Sequence, residues 1–182
     1  MKSHQLLLFA FSFLIFASAC CKDNNERTLP PETQNGYNTY GCRINGKVWL
    51  PQATPFTAVA LVARANKSTL SIGANQGVAQ TIGVTINDEI VSNKTYIINS
   101  DKELNAFYNF KCDKGTFCYY QTNSKYSAEI TITRFDTINR IVAGRFAFKV
   151  ALIDSQNTDC NCDTSIINIT DGRFDLQYLP IQ

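Results

Sequence analysis

Cysteine is the residue type with the most varied chemistry in this chain of 182 residues. Five of its seven cysteines lie beyond the N-terminal segment, at Cys42, Cys112, Cys118, Cys160 and Cys162. Cysteines form disulfides, bind soft metals as thiolates, or exchange electrons in a Cys-x-x-Cys motif. The chain has no Cys-x-x-Cys, and the spacings differ from those of the usual zinc sites. Disulfides are therefore the favoured interpretation, and a thiolate metal site is the alternative.

The spacing of the cysteines suggests particular disulfide pairs. A Lys-Gly pair between Cys112 and Cys118 is typical of a turn, so a hairpin there would bring both sulfur atoms together. We expect this disulfide to add about 2–3 kcal/mol to the free energy of unfolding. Cys160 and Cys162 project to the same side of an extended strand, which makes them poor partners for each other. We expect one of them to reach Cys42, and the other pairings stay open.

The N-terminus has the pattern of an export signal. Lys2 precedes an apolar run over residues 6–16, and Ala17-Ser18-Ala19 leads directly to Cys20. The run is shorter than the ~20 residues that a membrane-spanning helix needs. Small residues directly before a cysteine resemble the lipobox of bacterial lipoproteins, which implies cleavage before Cys20 and a lipid on its thiol. We therefore predict a lipoprotein signal peptide over residues 1–19 and lipidation at Cys20.

The rest of the chain divides into a tether and one domain. Residues 20–38 are polar and rich in turn residues, which is typical of a flexible linker. Residues 39–182 are numerous enough for a single domain with its own core. The resemblance to lipoproteins implies an exported protein held by lipid at the outer membrane, on its periplasmic or cell-surface side. A formal net charge of only +2 for the whole chain argues against nucleic acid as a partner.

The composition also limits the possible catalysis. His4 is the only histidine, and it lies in the predicted signal peptide. Its loss would exclude Ser–His and Cys–His nucleophile pairs and histidine-bound metals. A carboxylate-based hydrolase remains an alternative, but most acids fall at expected turns, where they bind local backbone. We therefore predict no catalytic residues, no cofactor and no enzymatic activity.

One segment partly matches a calcium-binding loop. Asp159, Asn161 and Asp163 alternate like the first ligands of such a loop. However, Thr164 stands where the loop needs glycine, and Thr170 stands where it needs the closing glutamate. A polar hairpin loop is the favoured interpretation, and these three residues stay a weak calcium candidate.

Aromatic residues cluster between positions 108 and 120. Aromatic rings carry a large apolar surface, and exposed rings can stack on sugars. Tyr108, Tyr119 and Tyr120 are therefore the candidate ligand contacts. The alternative is that part of the cluster belongs to the core.

The elements that position these residues are predicted to be strands. Asn45-Gly46 favours a two-residue hairpin, because both residues tolerate positive φ. In residues 145–152, alternation places Phe146, Phe148, Val150 and Leu152 on one face. Residues 101–106 are the only helical candidate, of one turn or two. About ten short strands of this kind predict an all-β fold, a single antiparallel sandwich or barrel.

Three segments carry a family resemblance: residues 29–34, 40–49 and 168–175. They resemble a family of small, uncharacterised gram-negative outer-membrane lipoproteins with one all-β domain. The resemblance implies the fold and the anchor, and it implies no activity.

The sequence therefore predicts a non-enzymatic binding module held at the envelope by lipid. A glycan is the favoured ligand, by analogy with other surface domains. One alternative is a structural subunit of an envelope protein complex, which predicts a flat apolar patch. The other is the hydrolase, which predicts two carboxylates converging in a pocket at ~5–10 Å.

Overall fold

Every regular element in the part of the chain described by the structure, a computed structural model, is a β-strand. Described are residues 27–55, 60–97, 104–112, 116–126, 128–153, 160 and 162–181. Their strands are β1 Thr39–Ile44, β2 Lys47–Trp49, β3 Leu61–Ala65, β4 Leu70–Gln76, β5 Gln80–Ile86, β6 Lys94–Ile97, β7 Leu104–Lys111, β8 Phe117–Gln121, β9 Ala128–Asp136, β10 Ile141–Leu152, β11 Ile167–Gln177 and β12 Leu179–Pro180. The predicted all-β class is confirmed, with twelve strands instead of about ten. No helix long and apolar enough to cross a membrane occurs among these residues.

The strands form two layers that share β10. Sheet A has the order β6-β9-β10-β11-β1-β2, and sheet B has the order β12-β3-β4-β5-β7-β8-β10. Most of β10 pairs with β9 and β11, but Ala151 and Leu152 pair with β8 instead. All neighbouring strands are antiparallel except β12 and β3. The path of strands does not close into a barrel, so the fold is sandwich-like.

One apolar core fills the space between the layers. Alternating residues of both sheets belong to a single buried cluster, which includes Ile72 and Val84 of sheet B and Ile130 of sheet A. Phe146 and Phe148 are 3% exposed, as the alternation in β10 predicts. Burying a side chain of this size stabilises the fold by roughly 1.5–3 kcal/mol.

The predicted hairpin at Asn45-Gly46 is present, but the predicted helix over residues 101–106 is not seen where the structure describes this segment. Asn45 and Gly46 have φ of 48° and 82°, so the predicted two-residue turn joins β1 and β2. The helix predicted over residues 101–106 is wrong for Leu104–Ala106, which begin β7; residues 101–103 lie outside the described part. Leu104 and Ala106 are buried opposite Ile86 and Val84 of β5, and this cross-strand packing outweighs the local helical pattern.

Residues 29–37, here called the N-terminal strap, are part of the folded unit. The Asp175 carboxylate of β11 accepts hydrogen bonds from Thr33 Oγ1 and from the backbone N–H groups of Asn35, Gly36 and Tyr37. The prediction of a flexible tether up to residue 38 is therefore wrong for residues 33–37. Asp175 lies far along the sequence, so no local pattern reveals that it holds these residues.

Candidate ligand-binding face

Sheet B carries a continuous face of polar and aromatic side chains. The face consists of the residues of β4, β5, β7 and β8 that alternate with core residues, and we call it the outer face of sheet B. Its members are Ser71, Gly73, Asn75, Thr81, Gly83, Thr85, Asn105, Phe107, Asn109, Lys111, Phe117, Tyr119 and Gln121. Only Lys111, at the end of β7, carries a charge. The face thus presents hydroxyls, amides and aromatic rings, and it is almost uncharged.

Cross-strand hydrogen bonds hold the polar side chains of this face in place. Three pairs bridge neighbouring strands: Ser71 with Thr85 at 3.4 Å, Thr81 Oγ1 donating to Asn75 Oδ1 at 2.9 Å, and Gln121 Nε2 donating to Asn105 Oδ1 at 3.0 Å. Hydroxyl and amide groups have further donor and acceptor positions beyond one such bond. Since the pairs restrict the side chains before any ligand arrives, less conformational entropy is lost on binding.

Three aromatic rings lie on the outer face of sheet B. Tyr119 is 53% exposed, and its ring centroid lies 6.2 Å from that of Phe117 on the same strand. The third ring, Phe107, belongs to β7 and lies against Gly83 of β5. Tyr119 and Phe117 therefore form an aromatic step at one side of the face.

Two of the three predicted tyrosine contacts belong to the core instead. Tyr108 is 6% exposed and Tyr120 is fully buried, and both rings pack against Phe110. The prediction that these two tyrosines contact a ligand is wrong, because their strand positions point inward. Burial raises the pKa of Tyr108 to about 12. Only Tyr119 remains as a candidate contact.

A crevice of about 410 Å³ continues the face where β10 joins sheet B. Its lining includes the amide side chains of Asn105, Gln121 and Asn123 and the apolar side chain of Ile153. The Ile153 N–H donates to the Tyr119 carbonyl at 2.9 Å, so this segment extends the pairing with β8. The crevice therefore adjoins the aromatic step and offers amide groups beside an apolar wall.

The disulfides differ from the predicted pairs. Cys112 is bonded to Cys160, and Cys118 is bonded to Cys162. The predicted Cys112–Cys118 bond is wrong because β7 and β8 pair Phe110 with Cys118, which leaves Cys112 two positions away from its expected partner. Both bonds tie the β7–β8 hairpin to the segment that precedes β11. With their sulfur atoms in disulfides, these cysteines offer no thiolates for the alternative metal site.

Cys42 is a free thiol in the core, so its predicted bond to Cys160 or Cys162 is wrong as well. It is fully buried on β1, and both expected partners are bonded elsewhere, Cys160 to Cys112 and Cys162 to Cys118. Burial raises the pKa of the Cys42 thiol to about 12. The thiol therefore stays protonated and acts as a small apolar core residue.

The weak calcium candidate falls mostly outside the described part of the chain, which includes neither Asp159 nor Asn161. The third residue, Asp163, accepts hydrogen bonds from the backbone N–H and the hydroxyl of Ser165. These bonds lower the pKa of the Asp163 carboxyl. Its carboxylate thus caps a local turn, as acids in turns commonly do. Cys20 and the predicted signal peptide also lie outside the described residues.

Sequence reasoning missed most of the polar members of the outer face of sheet B. Asn105, Gln121, Gly73 and Gly83 each stand in a strand where hydrophobic alternation was the visible signal. Their common feature is the polar or small residue at every second position, which marks the outward side of a strand. The alternation shows which residues share a side of one strand, but it does not show which strands become neighbours.

Comparisons with family models, curated proteins and solved structures found no match for this chain.

Proposed function

We propose that this chain is an exported, lipid-anchored envelope protein that binds a glycan on the outer face of sheet B. The observation that carries the proposal is the exposed Tyr119–Phe117 step beside a field of paired amide and hydroxyl side chains. Glycans have apolar ring faces surrounded by hydroxyl groups, so aromatic rings and neutral hydrogen-bonding side chains complement them. The crevice lined by Asn105, Gln121 and Asn123 adds amides next to this step.

Two features favour a ligand over a flat protein interface. A structural subunit would be expected to expose one large apolar patch. In the described part of the chain, the large exposed hydrophobic side chains are spread over separate strands and turns, for example Val91, Ile138 and Leu179. The outer face of sheet B is polar instead, and its cross-strand pairs of hydroxyl and amide side chains are already positioned for hydrogen bonding.

Binding without chemical conversion fits the positions of the acids. Eight acidic residues are described, and six of them are engaged in ion pairs or hydrogen bonds within the fold: Glu32, Asp88, Asp136, Asp163, Asp171 and Asp175. Glu129 lies exposed on β9 of sheet A, away from the outer face of sheet B. A carboxylate-based hydrolase needs an acid pair at its ligand site, and none of the thirteen members of that face is acidic.

The anchor part of the proposal rests on the sequence. If Cys20 carries the lipid, residues 20–28 join it to the N-terminal strap. Nine residues reach at most about 30 Å, because an extended chain spans ~3.3–3.6 Å per residue. The domain would therefore stay close to the membrane, with less freedom than a tether ending at residue 38 would allow.

Glycan binding is tested by titration calorimetry of the protein against envelope and plant oligosaccharides. We expect a saturable signal that weakens roughly tenfold in the Tyr119→Ala variant, which corresponds to about 1.4 kcal/mol of lost stacking. Tyr37→Ala is the matched control, since Tyr37 is 64% exposed and lies on the N-terminal strap. Equal losses in both variants, or no binding by the unaltered protein, would contradict the proposal.

The anchor is tested separately by cell fractionation and mass spectrometry of the full chain and its Cys20→Ala variant. The unaltered protein should appear in the membrane fraction with a lipid-sized mass on Cys20. The variant should lose both properties, because a single thioether anchor would no longer form. Membrane association that persists in the variant would refute lipidation at Cys20.

A further inference from the structure

A second feature of the outer face of sheet B lies on its opposite side, at two glycines. Gly73 of β4 and Gly83 of β5 are cross-strand partners. In the same row, Val62 of β3 pairs with Gly73, and Phe107 of β7 pairs with Gly83. Two adjacent residues without side chains thus stand between two apolar ones.

The two glycines differ in what lies above them. A Cβ atom on Gly83 would approach the Phe107 ring to 2.2 Å, so this ring occupies the space over Gly83. A Cβ atom on Gly73 would meet nothing within 4 Å. The backbone at Gly73 is therefore the floor of an open slot, with the Phe107 ring as one wall and Val62, 36% exposed, as the other.

Hydroxyl and amide groups close the two ends of this slot. Ser71 and Thr85 form one hydrogen-bonded pair, and Asn75 and Thr81 form the other. Along β4, Ser71 and Asn75 are four residues apart, which is about 13 Å for a strand. The slot is therefore wide enough for one sugar ring, with an aromatic wall and hydrogen-bonding groups at both ends.

We propose that this slot is a second sugar subsite, so that the outer face of sheet B binds an extended, uncharged oligosaccharide instead of a single sugar. The proposal rests on the proposed function, since it extends the same face. From Tyr119 to Gly73 the ligand crosses three strand spacings and shifts by two residues, which is about 16 Å. A monosaccharide is too short for that distance, and a chain of several sugars spans it.

The middle of the path between the two subsites favours a neutral ligand. Between the aromatic step and the slot, the described side chains are those of Asn109, Thr81, Phe107 and the polar pairs. An anionic group in the middle of this path would lose its hydration without a cationic partner, because the described cations lie at its two ends, Lys111 opposite Phe117 of the aromatic step and Arg64 of β3 opposite Ser71 of the slot. Amides and hydroxyls donate and accept hydrogen bonds without that cost.

The test uses Gly73→Val, which fills the slot. The position has no positive φ and open space above it, and valine favours strands, so the fold should be retained. Affinity is measured by calorimetry for neutral malto-, cello- and xylo-oligosaccharides, from the disaccharide to the hexasaccharide, and for charged oligogalacturonides. Ala147→Val is the control, a valine added where β10 pairs with β9 of sheet A, and thermal melting verifies that each variant is folded.

We expect the unaltered protein to bind longer chains of one neutral series about tenfold more tightly than the disaccharide. Gly73→Val should remove this gain and leave disaccharide binding unchanged, whereas Tyr119→Ala should weaken all lengths. An unchanged length dependence in Gly73→Val would overturn the second subsite while the proposed function stands. Tighter binding of the charged series would overturn the neutral ligand, and no binding of any series would reject the proposed function itself.

Discussion

Replacement of Asp175 by asparagine should release the N-terminal strap from the domain. The Asp175 side chain is fully buried, and its carboxylate accepts four hydrogen bonds at 2.7, 2.9, 2.6 and 3.3 Å. Three of the donors are backbone N–H groups of consecutive residues 35–37. An asparagine amide in the same place keeps one acceptor oxygen, but its NH₂ group faces backbone N–H groups. These groups are donors themselves and cannot accept a hydrogen bond from it.

The size of the effect follows from these bonds. A hydrogen bond to a charged group contributes about 1.5–3 kcal/mol, so four of them would sum to roughly 6–12 kcal/mol if all were simply lost. The loss is limited because a detached strap exposes its N–H groups to water instead of leaving them buried and unpaired. We therefore expect the free energy of unfolding to fall by about 2–4 kcal/mol, with the two sheets still folded.

The assay combines urea unfolding with amide hydrogen exchange. In Asp175→Asn, the amides of Asn35, Gly36 and Tyr37 should lose protection, while amides of the core strands keep theirs. Asp171→Asn is the matched control on the same strand, because its ion pair with Arg43 is half exposed and such pairs contribute little. Protected strap amides and an unchanged unfolding midpoint in Asp175→Asn would refute the reasoning.

The same interaction predicts a pH dependence. Burial raises the pKa of the Asp175 carboxyl. The hydrogen bonds from Thr33 and the three backbone groups together lower this pKa by more than burial raises it, so the net shift is downward. A carboxyl with a lowered pKa stabilises the fold above the unfolded-state pKa of about 3.9, and this contribution is lost as the pH falls through the folded-state value. The strap of the unaltered protein should therefore open only in acid, and exchange in Asp175→Asn should lack this acid step.

Two further predictions concern the core and the disulfides. Tyr40→Phe should raise the free energy of unfolding by about 1 kcal/mol, because the Tyr40 hydroxyl is buried with no hydrogen-bond partner among the described residues. A lower melting temperature in this variant would contradict that account. The Cys118→Ser/Cys162→Ser double variant should lose about 2–3 kcal/mol in urea unfolding, because with Cys112–Cys160 intact the bond closes only a ring of about ten further residues. A loss below about 1 kcal/mol would show that the bond hardly restricts the unfolded chain.

The parts of the fold that sequence could predict are those set by short-range rules. Alternation fixed the buried side of β10, and Asn45-Gly46 fixed the turn between β1 and β2, because both signals depend only on neighbouring residues. The disulfide pairs depend on the register of β7 against β8, which places Cys112 beside Thr116 and not beside Cys118. Register is a long-range property, so the sequence left the pairing of the five candidate cysteines open.

The candidate site shows the same limit in more detail. Tyr119 and Tyr120 are adjacent, so they must point to opposite faces of β8, and the sequence contains that information. The sequence does not show which face of β8 is buried, because Phe117 on one face and Cys118 on the other are both apolar. The slot at Gly73 is less visible still, because it exists only when β3, β4, β5 and β7 become neighbours in the observed register.

The outer faces of the two sheets differ in how their charged residues are used. On sheet A, Arg145 and Arg173 are direct cross-strand partners, an arrangement of like charges that destabilises a sheet. The N-terminal strap compensates it, since Glu32 forms an ion pair with Arg145 and the Pro30 carbonyl accepts a hydrogen bond from Arg173. The two arginines of sheet A therefore help to hold the chain's own strap, whereas the almost uncharged outer face of sheet B has no such covering segment among the described residues.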